Sequence, residues 1–446
     1  MMSTQQIAPI LANLGISALN PMQEAAGQAI AQDHDTVLVA PTGSGKTIAF
    51  LLPILGLLKP NQTTVQCLVL APSRELALQI ESVWKKMATG FKVNSCYGGH
   101  PVETEIKNLS NPPALLVGTP GRIADHLDRR SFDTGGIHTL VLDEFDKSLE
   151  LGFHDEMGFI VKQLTGLRKQ VLVSATHGIK IPEFVRLRNP QTVIHQADEE
   201  TLAALTMKVV YSPEKDKVET LFNLLCTLDS EPALIFLNHR EAAERTRDEL
   251  AGRGILAGVY HGGMEQPDRE RALIQFRNGS VRYLITTDLA ARGLDIPEMN
   301  YVIHYHLPLK GHEFVHRNGR TARMHRTGGQ APGTVYVILS RDENHPDYLP
   351  NNLDEYAVPT SNQPLPNPPE FVTVYVSGGR KNKLNKVDIV GFFGQKGQLE
   401  KGDLGRIDVQ DFISFAAVKR EKVTNLLTQI QDEKMKGKKY KIEVAR

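Results

Sequence analysis

Short apolar runs alternate with amphipathic stretches from residue 36 to about residue 340. TVLVA, CLVL, ALLVG, TLVLD and VLVSAT occur in the first half, and ALIFL, AGVYH, YLITT, YVIHY and TVYVIL occur in the second. Continuous β-rich runs separated by amphipathic stretches are typical of buried parallel strands in α/β domains. We therefore predict two successive doubly wound domains that meet at the polar segment HQADEETLAALT, residues 195 to 206.

The end of the chain has a different pattern. Residues 346 to 370 contain seven prolines and little apolar periodicity, which predicts a linker or an irregular connection. After it, FVTVYVSGG, DIVGFFGQ, LGRIDVQ, ISFAAVK, KVTNLLTQIQD and KYKIEV follow the order β-α-β-β-α-β. That order is typical of a small ferredoxin-like or RNA-recognition-like α+β domain.

Charge is unevenly distributed along the chain. The 446 residues carry 51 Lys and Arg against 51 Asp and Glu. Residues 371 to 446 contain 16 Lys and Arg against 9 Asp and Glu, whereas the other 370 residues contain 35 against 42. A basic end on an acidic body indicates a module for a polyanion, although a hydrated lysine-rich end would give the same balance.

Cysteine usage and the first residues bear on the compartment. The three cysteines lie far apart without metal-ligand spacing, which suits a reducing cytoplasm. The beginning of the chain has no basic stretch ahead of its apolar residues, and no run of about 18 apolar residues occurs. We therefore expect a cytoplasmic protein with no signal peptide and no membrane contact.

One glycine-rich segment has the composition of a phosphate site. The run TVLVA leads through APTGSGKT, residues 40 to 47, into the helical pattern IAFLLPILGLL. Backbone N–H groups in such a loop, and the start of the following helix, bind phosphate oxygens. In this pattern Lys46 reaches the β- and γ-phosphates and the Thr47 hydroxyl binds Mg²⁺. Ala40 stands where the usual pattern has its first glycine.

Three acidic residues follow another apolar run, in VLDEFDKS, residues 141 to 148. A P-loop enzyme needs a carboxylate at a second strand end to hold the metal, and Asp143 fits that role. Glu144 is placed to polarise the attacking water. Alone, the segment would suit a hydrated acidic turn, but the P-loop favours a metal and water site. If the segment stays extended, Phe145 points away from the acids and contributes to packing.

Together with further segments, these residues resemble the DEAD-box family of ATP-dependent RNA helicases over residues 14 to about 340. The segments that carry the resemblance are GISALNPMQ (15–23), APTGSGKT, APSRELA (71–77), Gly98-Gly99, TPGR (119–122), DEFD (143–146), SAT (174–176), HGGMEQPDRERALIQF, TTDLAARGLD and HRNGRTAR. The resemblance implies two tandem RecA-like domains, with ATP and Mg²⁺ as cofactors. The sequence departs from the family at Phe145, where Ala is usual, and at Asn318 and Ala322, where Ile and Gly are common.

The resemblance also assigns roles around the nucleotide. The expected catalytic residues are Lys46, Glu144, Arg320 and Arg323, and the expected metal ligands are Thr47 and Asp143. The expected ATP-binding residues are Gln23, Ala40, Pro41, Thr42, Gly43, Ser44, Gly45, Lys46, Thr47, Asp143, Asp295 and His316. Asp146, Ser174 and Thr176 are expected to couple ATP to RNA. By spacing alone, Arg320 and Arg323 would also suit the surface of a helix, and Gln23 would suit an exposed turn.

A second set of residues is expected at RNA. In the two core domains these are Arg74, Gly99, Thr119, Gly121, Arg122, Gln266, Arg269 and Thr286. Glycines and helix-start amides hold phosphates without reading the sequence, so the core should bind RNA with little sequence preference. Taken singly, each of these residues would also suit a turn or a cap.

Residues 371 to 446 resemble the RNA-binding domain of the DbpA-type branch of the family, in VTVYVSGGRKNKLNKVDIVGFFG and KGDLGRID. ISFAAV keeps Phe415 but has Ile413 and Val418 where aromatics are usual, so stacking of bases on the sheet should be reduced. We expect RNA to meet the basic loop instead, at Arg380, Lys381, Lys383 and Lys386. The resemblance implies large-subunit ribosomal RNA and pre-ribosomal particles as partners.

The predicted fold class is α/β, with two RecA-like doubly wound parallel-sheet domains and a small RRM-like α+β domain. We assign residues 1–200 to an ATP-binding domain, 201–345 to a second helicase domain, 346–370 to a Pro-rich linker and 371–446 to the RNA-binding domain. The predicted activity is an RNA-dependent ATPase that unwinds or remodels RNA as a monomer. An ATP-gated RNA clamp or scaffold and a DNA helicase are the alternatives; the intact Glu144 and the RNA-binding domain argue against them.

Overall fold

The structure is a computed structural model that describes residues 4–41, 43–176, 178, 180–195, 205–228, 230–288, 299–321, 333–350, 352–359 and 363–445. These residues form two compact units, one of residues 4–195 and one of residues 205–445. Within the described ranges, no helix combines the length and the apolar character needed to cross a lipid bilayer.

The first unit alternates helices with short buried strands. In chain order its elements are α1 (Thr4–Leu14), α2 (Pro21–Ala31), β1 (Thr36–Val39), α3 (Lys46–Leu55), β2 (Cys67–Leu70), α4 (Arg74–Met87), β3 (Val93–Cys96), α5 (Val102–Leu109), β4 (Leu115–Gly118), α6 (Pro120–Asp128), β5 (Thr139–Leu142), α7 (Phe145–Glu150), α8 (His154–Gln163), β6 (Lys169–Ser174), a 3₁₀ turn (Glu183–Val185) and β7 (Gln191–Ile194).

Seven of these strands form one parallel sheet in the order β3-β4-β2-β5-β6-β1-β7. Every residue of β2, β4, β5 and β6 is buried, because helices cover both faces of a doubly wound sheet. This burial explains why the strands appear in the sequence as continuous apolar runs. The order also makes β5, β6 and β1 neighbours, so the segments that follow them meet at one edge of the sheet.

The second unit contains another doubly wound domain and the C-terminal domain. Its elements are β8 (Thr206–Ser212), α9 (Val218–Cys226), β9 (Ala233–Phe236), α10 (Arg240–Gly252), β10 (Ala257–Tyr260), α11 (Gln266–Arg277), β11 (Tyr283–Thr286), β12 (Tyr301–His304), α12 (Gly311–Asn318), β13 (Thr334–Ser340), β14 (Asp354–Glu355), β15 (Phe371–Val376), a 3₁₀ turn (Arg380–Asn382), α13 (Lys386–Gln395), β16 (Leu404–Val409), β17 (Ser414–Lys419), α14 (Arg420–Ile430) and β18 (Ile442–Val444).

The second parallel sheet has the order β10-β11-β9-β12-β13-β8-β14. Its last strand comes from the Pro-rich segment, since Asp354 pairs with Lys208 and Glu355 pairs with Val209. Leu349 in the same segment is also buried. Residues 346–370 are therefore more than a spacer, because part of this segment completes the second sheet.

The C-terminal domain has the predicted order β-α-β-β-α-β and a four-stranded antiparallel sheet, β16-β17-β15-β18. Helices α13 and α14 cover one face, where Val374 and Ala416 join an apolar core with Phe393 and Leu426. The predicted fold class is thus confirmed in its three parts: two parallel doubly wound sheets and one small α+β domain.

Candidate nucleotide and RNA sites

The phosphate-binding segment connects β1 to α3 with the backbone of a P-loop. Gly43 and Gly45 have φ angles of 86° and 85°, in the left-handed region that a side chain strains. Helix α3 begins at Lys46 without a side-chain cap. Backbone N–H groups at such a helix start are donors for a phosphate. Thr42 lies outside the described residues.

Lys46 points back into this loop. Its ammonium donates to the carbonyl oxygens of Ala40 (2.7 Å) and Pro41 (2.9 Å). Ser44 also donates to the Pro41 oxygen, over 2.8 Å. The half-buried Thr47 follows Lys46 in the first turn of α3. The loop therefore forms with its cation inside it, and a nucleotide phosphate would replace carbonyl oxygens as the partner of Lys46.

Gln23 is held against the same loop. Asn20 caps α2 by accepting from the Gln23 N–H, while the Gln23 Oε1 accepts from the Asn20 N–H. The Gln23 Nε2 donates to the Gly45 oxygen over 3.3 Å, and the Asn20 amide donates to the Ser44 oxygen over 3.0 Å. Gln23 is buried, so the alternative of an exposed turn glutamine is excluded.

Asp143 and Glu144 follow β5 at the edge shared with the P-loop. Asp143 is buried, and its Oδ1 accepts from the Glu144 N–H over 2.9 Å. The pKa of Asp143 is raised to about 7, first by burial and next by the Glu144 carboxylate, while the Lys46 ammonium lowers it. A buried carboxylate with a raised pKa gains most from a nearby cation, which fits a metal ligand.

The segment after these acids is not extended. Glu144 has a φ angle of 43°, and α7 begins at Phe145. The premise that Phe145 alternates along a strand is therefore wrong, since a turn separates it from β5. Phe145 is nevertheless buried, within the apolar cluster that includes Leu142, Met157 and Leu172. It fills core space and leaves both acids in place.

Asp146 joins the acidic segment to the end of β6. Its Oδ2 accepts from the Thr176 hydroxyl over 2.8 Å. The Ser174 Oγ accepts from the Thr176 N–H and donates to the Thr176 oxygen. The Ser174 carbonyl accepts from the Ala40 N–H over 3.1 Å, which connects this turn to the P-loop. The three residues expected to couple ATP to RNA thus form one hydrogen-bonded group beside the nucleotide segment.

These residues fit ATP and Mg²⁺ by their donors and acceptors. The P-loop offers backbone donors and one ammonium, and the acidic segment offers a buried carboxylate. Oxygen ligands from a hydroxyl and a carboxylate, completed by phosphate and water, are the set that Mg²⁺ prefers. Thr47 and Asp143 would supply the two protein ligands.

Among the predicted RNA-binding residues of the first unit, Arg122 binds a residue that sequence analysis missed, Glu105. Its Oε2 accepts from Arg122 (2.9 Å) and His126 (2.7 Å), and its Oε1 contacts His100 (2.9 Å) and accepts from the Tyr97 N–H (2.9 Å). Burial raises the pKa of Glu105, but the bonds from His126 and Tyr97, with Arg122 nearby, hold that pKa below its usual value.

Glu105 therefore links the glycine-doublet segment to the start of α6. Cys96 lies close enough to Glu105 and His126 to suggest a metal site, but the guanidinium of Arg122 occupies the same carboxylate. Only local acidity, in the run VETE, marked Glu105 in the sequence. Its role depends on contacts across 17 and 21 residues, which local patterns do not reveal.

The other predicted RNA-binding residues of the first unit lie at helix starts or in an exposed glycine turn. Arg74 begins α4 with its guanidinium 4.5 Å from the centre of the Tyr97 ring. Gly99 has a φ angle of 95° and is exposed. Thr119 precedes α6 without a side-chain cap bond, and the exposed Gly121 follows in its first turn. These positions suit backbone contacts to phosphates.

In the second unit, Gln266 and Arg269 share the first turn of α11, and Arg269 donates to the Gln266 Oε1 over 2.6 Å. Thr286 is fully buried at the end of β11, and its hydroxyl donates to the Tyr260 oxygen over 2.7 Å. The hydroxyl is therefore held within this domain, and contact of Thr286 with RNA stays a prediction.

The arginine-rich segment around α12 is well packed. Arg317 is fully buried and donates to both carboxylate oxygens of Asp288, at 2.6 and 2.9 Å, as well as to His306 and Asn238. Its guanidinium is committed to this domain and positions the segment. His316 and Arg320 are also buried, in the last turn of α12 and just after it. The predicted site residues Asp295 and Arg323 lie outside the described residues.

The departure at Asn318 has a structural reason. His304 on β12 is buried, and its Nε2 lies 2.8 Å from the Asn318 Oδ1. Burial lowers the pKa of His304 to about 3, with the Arg317 charge acting in the same direction. A neutral histidine donates here and asparagine accepts, whereas the isoleucine common in the family would offer no acceptor.

The basic loop of the C-terminal domain is a surface feature. Arg380, Lys381, Lys383 and Lys386 are all exposed, around a 3₁₀ turn and the start of α13. On the sheet, Phe415 has 2% of its surface exposed and lies outside the domain's apolar core, with its ring 5.8 Å from that of Tyr375. Burial therefore prevents bases from stacking on Phe415. This adds a second cause to the reduced stacking expected from Ile413 and Val418.

Comparison with known families and proteins agrees with this geometry. The family described as DEAD/DEAH box helicase matches residues 20–184, the helicase conserved C-terminal domain matches residues 216–325, and the DbpA RNA binding domain matches residues 373–444. The ATP-dependent RNA helicase DbpA of Escherichia coli (strain K12) is 31% identical, over 97% of this chain and 96% of that protein. Its namesake in Bacillus subtilis (strain 168) is 29% identical, over 99% and 98%.

Two solved structures resemble the fold. Mss116p bound to single-stranded RNA and AMP-PNP has a TM-score of 0.68 at 25% identity, over 76% of this chain and 73% of that one. Saccharomyces cerevisiae Dbp5 bound to RNA and ADP BeF3 has a TM-score of 0.65 at 27% identity, over 76% and 88%. Both are similar in fold and were solved with RNA and a nucleotide.

Proposed function

The chain belongs to the DEAD-box ATP-dependent RNA helicases, in their DbpA branch, and we propose that it remodels structured RNA of the large ribosomal subunit during assembly. The family establishes an RNA-dependent ATPase and RNA helicase. The choice of RNA is the proposal, and its substrate class is ribosomal RNA in pre-ribosomal particles.

The observation that carries this proposal is the exposed basic loop on the C-terminal domain. Arg380, Lys381, Lys383 and Lys386 present four positive charges near one turn, and Phe415 is buried. Such a surface binds the closely spaced phosphates of folded RNA better than isolated unstacked bases. Selection by RNA shape is therefore expected from this module.

Hydrolysis is proposed to use the residues at the edge of the first sheet. Lys46 would bind the β- and γ-phosphates, and Glu144 would accept a proton from the attacking water. Bound Mg²⁺, held by Thr47 and Asp143, would neutralise charge that develops on the phosphates. Arg320 and Arg323 are proposed to add positive charge at the γ-phosphate, with His316 and Asp295 assisting nucleotide binding. Gln23 would select adenine, because its amide offers both a donor and an acceptor.

Coupling between nucleotide and RNA is proposed to pass through Asp146, Thr176 and Ser174. Their hydrogen bonds join the acidic segment to the turn after β6 and, through Ala40, to the P-loop. A change at the γ-phosphate would therefore alter the turn. Arg74, Gly99, Thr119, Gly121, Arg122, Gln266 and Arg269 are the proposed contacts of the core with the RNA backbone.

Two further properties complete the proposal. We propose a cytoplasmic location, because Cys67, Cys96 and Cys226 are free thiols, which suits a reducing compartment. We also propose that the protein acts as a monomer.

The decisive test compares ATP turnover by the full chain with a large-subunit ribosomal RNA hairpin, poly-U RNA and single-stranded DNA. We expect the hairpin to stimulate ATP turnover at the lowest concentration and poly-U to stimulate it at a higher concentration. Single-stranded DNA should not stimulate it. Equal response to hairpin and poly-U would contradict the ribosomal target. Nucleotide-dependent RNA binding without turnover would instead show an RNA clamp, and stimulation by DNA would show a DNA helicase.

A matched pair of variants tests the basic loop itself. Lys381→Gln, Lys383→Gln and Lys386→Gln together should raise the half-saturating hairpin concentration and leave that of poly-U unchanged. Lys396→Gln, Lys401→Gln and Lys422→Gln remove the same charge elsewhere on the domain, where Lys396 and Lys422 face Glu433 and Asp403. An equal effect of both triple variants would show that net charge, not the loop, selects the RNA.

A further inference from the structure

One face of the C-terminal sheet packs on the second helicase domain. The buried Thr373 hydroxyl on β15 accepts from the Asn278 amide over 3.2 Å and lies 2.7 Å from the Ser280 hydroxyl. The Gln275 amide donates to the Ala445 carbonyl over 3.0 Å. These contacts place the C-terminal end of α11 and the residues after it against the sheet.

A second set of contacts lies at the other end of α11. The Glu270 Oε1 accepts from the Gln266 Nε2 over 3.1 Å, and the Glu270 Oε2 accepts from the Gln410 Nε2 over 3.1 Å. Arg269 donates to the remaining amide oxygen of Gln266 over 2.6 Å. Glu270 therefore joins the two proposed RNA contacts of this helix to a residue of the C-terminal domain.

Gln410 also holds the basic loop. Its carbonyl accepts from the Arg380 N–H over 2.8 Å, and the next carbonyl, of Asp411, accepts from the Lys381 N–H over 2.8 Å. A Cβ on Gly379 would come within 2.2 Å of the Gln410 oxygen, so glycine allows this close approach. The basic loop is thus fastened to the residue whose side chain reaches Glu270.

We propose that the Glu270–Gln410 pair positions the basic loop against Gln266 and Arg269, so that one RNA molecule is held by both. This inference rests on the proposed function, because it assumes that both segments contact RNA. Fixing two contact segments relative to each other makes the second contact intramolecular and raises the effective concentration of the basic loop at the core. Glu270 and Gln410 are positioning residues, since they act through their neighbours.

The pair can be exchanged without losing either hydrogen bond. When Glu270→Gln is combined with Gln410→Glu, the new amide oxygen at position 270 can accept from Gln266, while the new amide nitrogen there donates to the carboxylate introduced at position 410. Gln410→Glu alone places two carboxylates together, and Gln410→Ala removes the donor. Gln429→Ala is the matched control, because Gln429 makes an exposed bond to Gln398 on the same domain.

The experiment measures RNA-stimulated ATP turnover by these full-length variants against a ribosomal RNA hairpin and poly-U. Gln410→Ala removes a hydrogen bond to the charged Glu270 carboxylate. We therefore expect it to raise the half-saturating hairpin concentration about tenfold and to leave maximal turnover unchanged. Gln410→Glu should raise the half-saturating hairpin concentration further. The exchanged pair should restore that concentration to within about twofold of the wild-type value. Poly-U saturation should not change in Gln410→Ala, and Gln429→Ala should match wild type throughout.

The outcomes separate the two proposals. A wild-type protein that no RNA stimulates would overturn the proposed function itself. A wild type that prefers the hairpin, with Gln410→Ala and Gln410→Glu unaffected, would overturn only the positioning role. Failure of the exchanged pair to recover, at unchanged melting temperature, would also overturn it, since both hydrogen bonds are then available. Graded loss with recovery supports the pair.

Discussion

Thr176 donates its hydroxyl hydrogen to Asp146, over 2.8 Å, across the gap between two neighbouring strand ends. Asp146 is buried, so loss of this donor removes a hydrogen bond from a buried carboxylate. Such a loss costs about 1–3 kcal/mol in a protein interior. The bond therefore ties the acidic segment to the turn after β6, which is the connection that the proposed coupling requires.

Thr176→Val tests this connection while keeping the side-chain shape. We expect the affinity gain that RNA confers on ATP to fall by about fivefold or more, because the coupling depends on a joined turn. ATP binding without RNA should stay close to wild type. The control is Thr428→Val, which removes an exposed hydroxyl bonded to the Thr424 oxygen on α14. Unchanged coupling in Thr176→Val would show that the bond serves stability alone.

Glu144→Gln tests the proposed general base. Loss of a positioned base lowers turnover by about 10²- to 10⁴-fold, and we expect this fall in RNA-stimulated kcat. Binding of ATP and RNA should persist. The change should also lower the pKa of Asp143, because the Glu144 charge is one cause of its elevation. Glu103→Gln, at an exposed acid on α5, is the control. Turnover above a tenth of wild type would remove Glu144 from the catalytic role.

Gln23→Ala tests nucleotide selection. In the structure, the Gln23 Nε2 donates to the Gly45 carbonyl in the P-loop, and the Gln23 Oε1 accepts from the Asn20 N–H. We expect the preference for ATP over GTP to fall by about 10- to 100-fold, the discrimination that one bidentate amide–adenine pair provides. Competition binding of the two nucleotides measures it. Gln28→Ala changes an exposed glutamine on the same helix and should keep the preference.

Phe145→Ala separates packing from chemistry at the position where the family sequence differs. Phe145 is 1% exposed in the core of the first unit, so truncation should cost about 3–5 kcal/mol of unfolding free energy. RNA-stimulated turnover below the melting transition should stay within about tenfold of wild type. Phe412→Ala, at a 66% exposed phenylalanine, is the control and should affect neither quantity. A much larger loss of turnover would mean that Phe145 shapes the nucleotide site.

His304 and Asn318 predict a pH dependence of stability. The pKa of His304 is lowered to about 3 in the folded protein. Between about pH 6.5 and pH 3, His304 therefore binds a proton in the unfolded chain and stays neutral in the folded one. The contribution of neutral His304 to the free energy of unfolding is fully present above about pH 6.5 and is lost as the pH falls toward 3. His304→Asn should show a shallower fall in melting temperature between pH 7.5 and pH 5. His306, whose pKa is also lowered, remains in both proteins, so the difference isolates His304.

Much of the fold was predictable because its strands are buried on both faces. TLVL and VLVS are entirely apolar or small, and parallel strands of this kind stand out from their amphipathic neighbours. The P-loop and the acidic segment were predictable for a related reason. Their chemistry needs particular residue types within a few positions of a strand end, and that local spacing is visible in one sequence.

The features that sequence analysis missed depend on distant partners. Glu105 looked like one more acid on a helix surface, yet it binds Arg122 and His126 from another element. Asn318 looked like a weakened motif until His304 supplied its partner across 14 residues. The helix that begins at Phe145 follows a turn with positive φ at Glu144, a non-glycine residue, and no local pattern indicates such a turn.

The edge strand β14 has a consequence for association between molecules. Sheet edges with unpaired N–H and C=O groups recruit strands from other chains unless something blocks them. Here the chain covers part of its own edge, since the Tyr356 N–H also donates to the Val209 carbonyl. Asp354 and Glu355 add negative charge at that rim. A fragment that stops before residue 346 would leave this side of β8 uncovered, and it should aggregate more readily than the full chain.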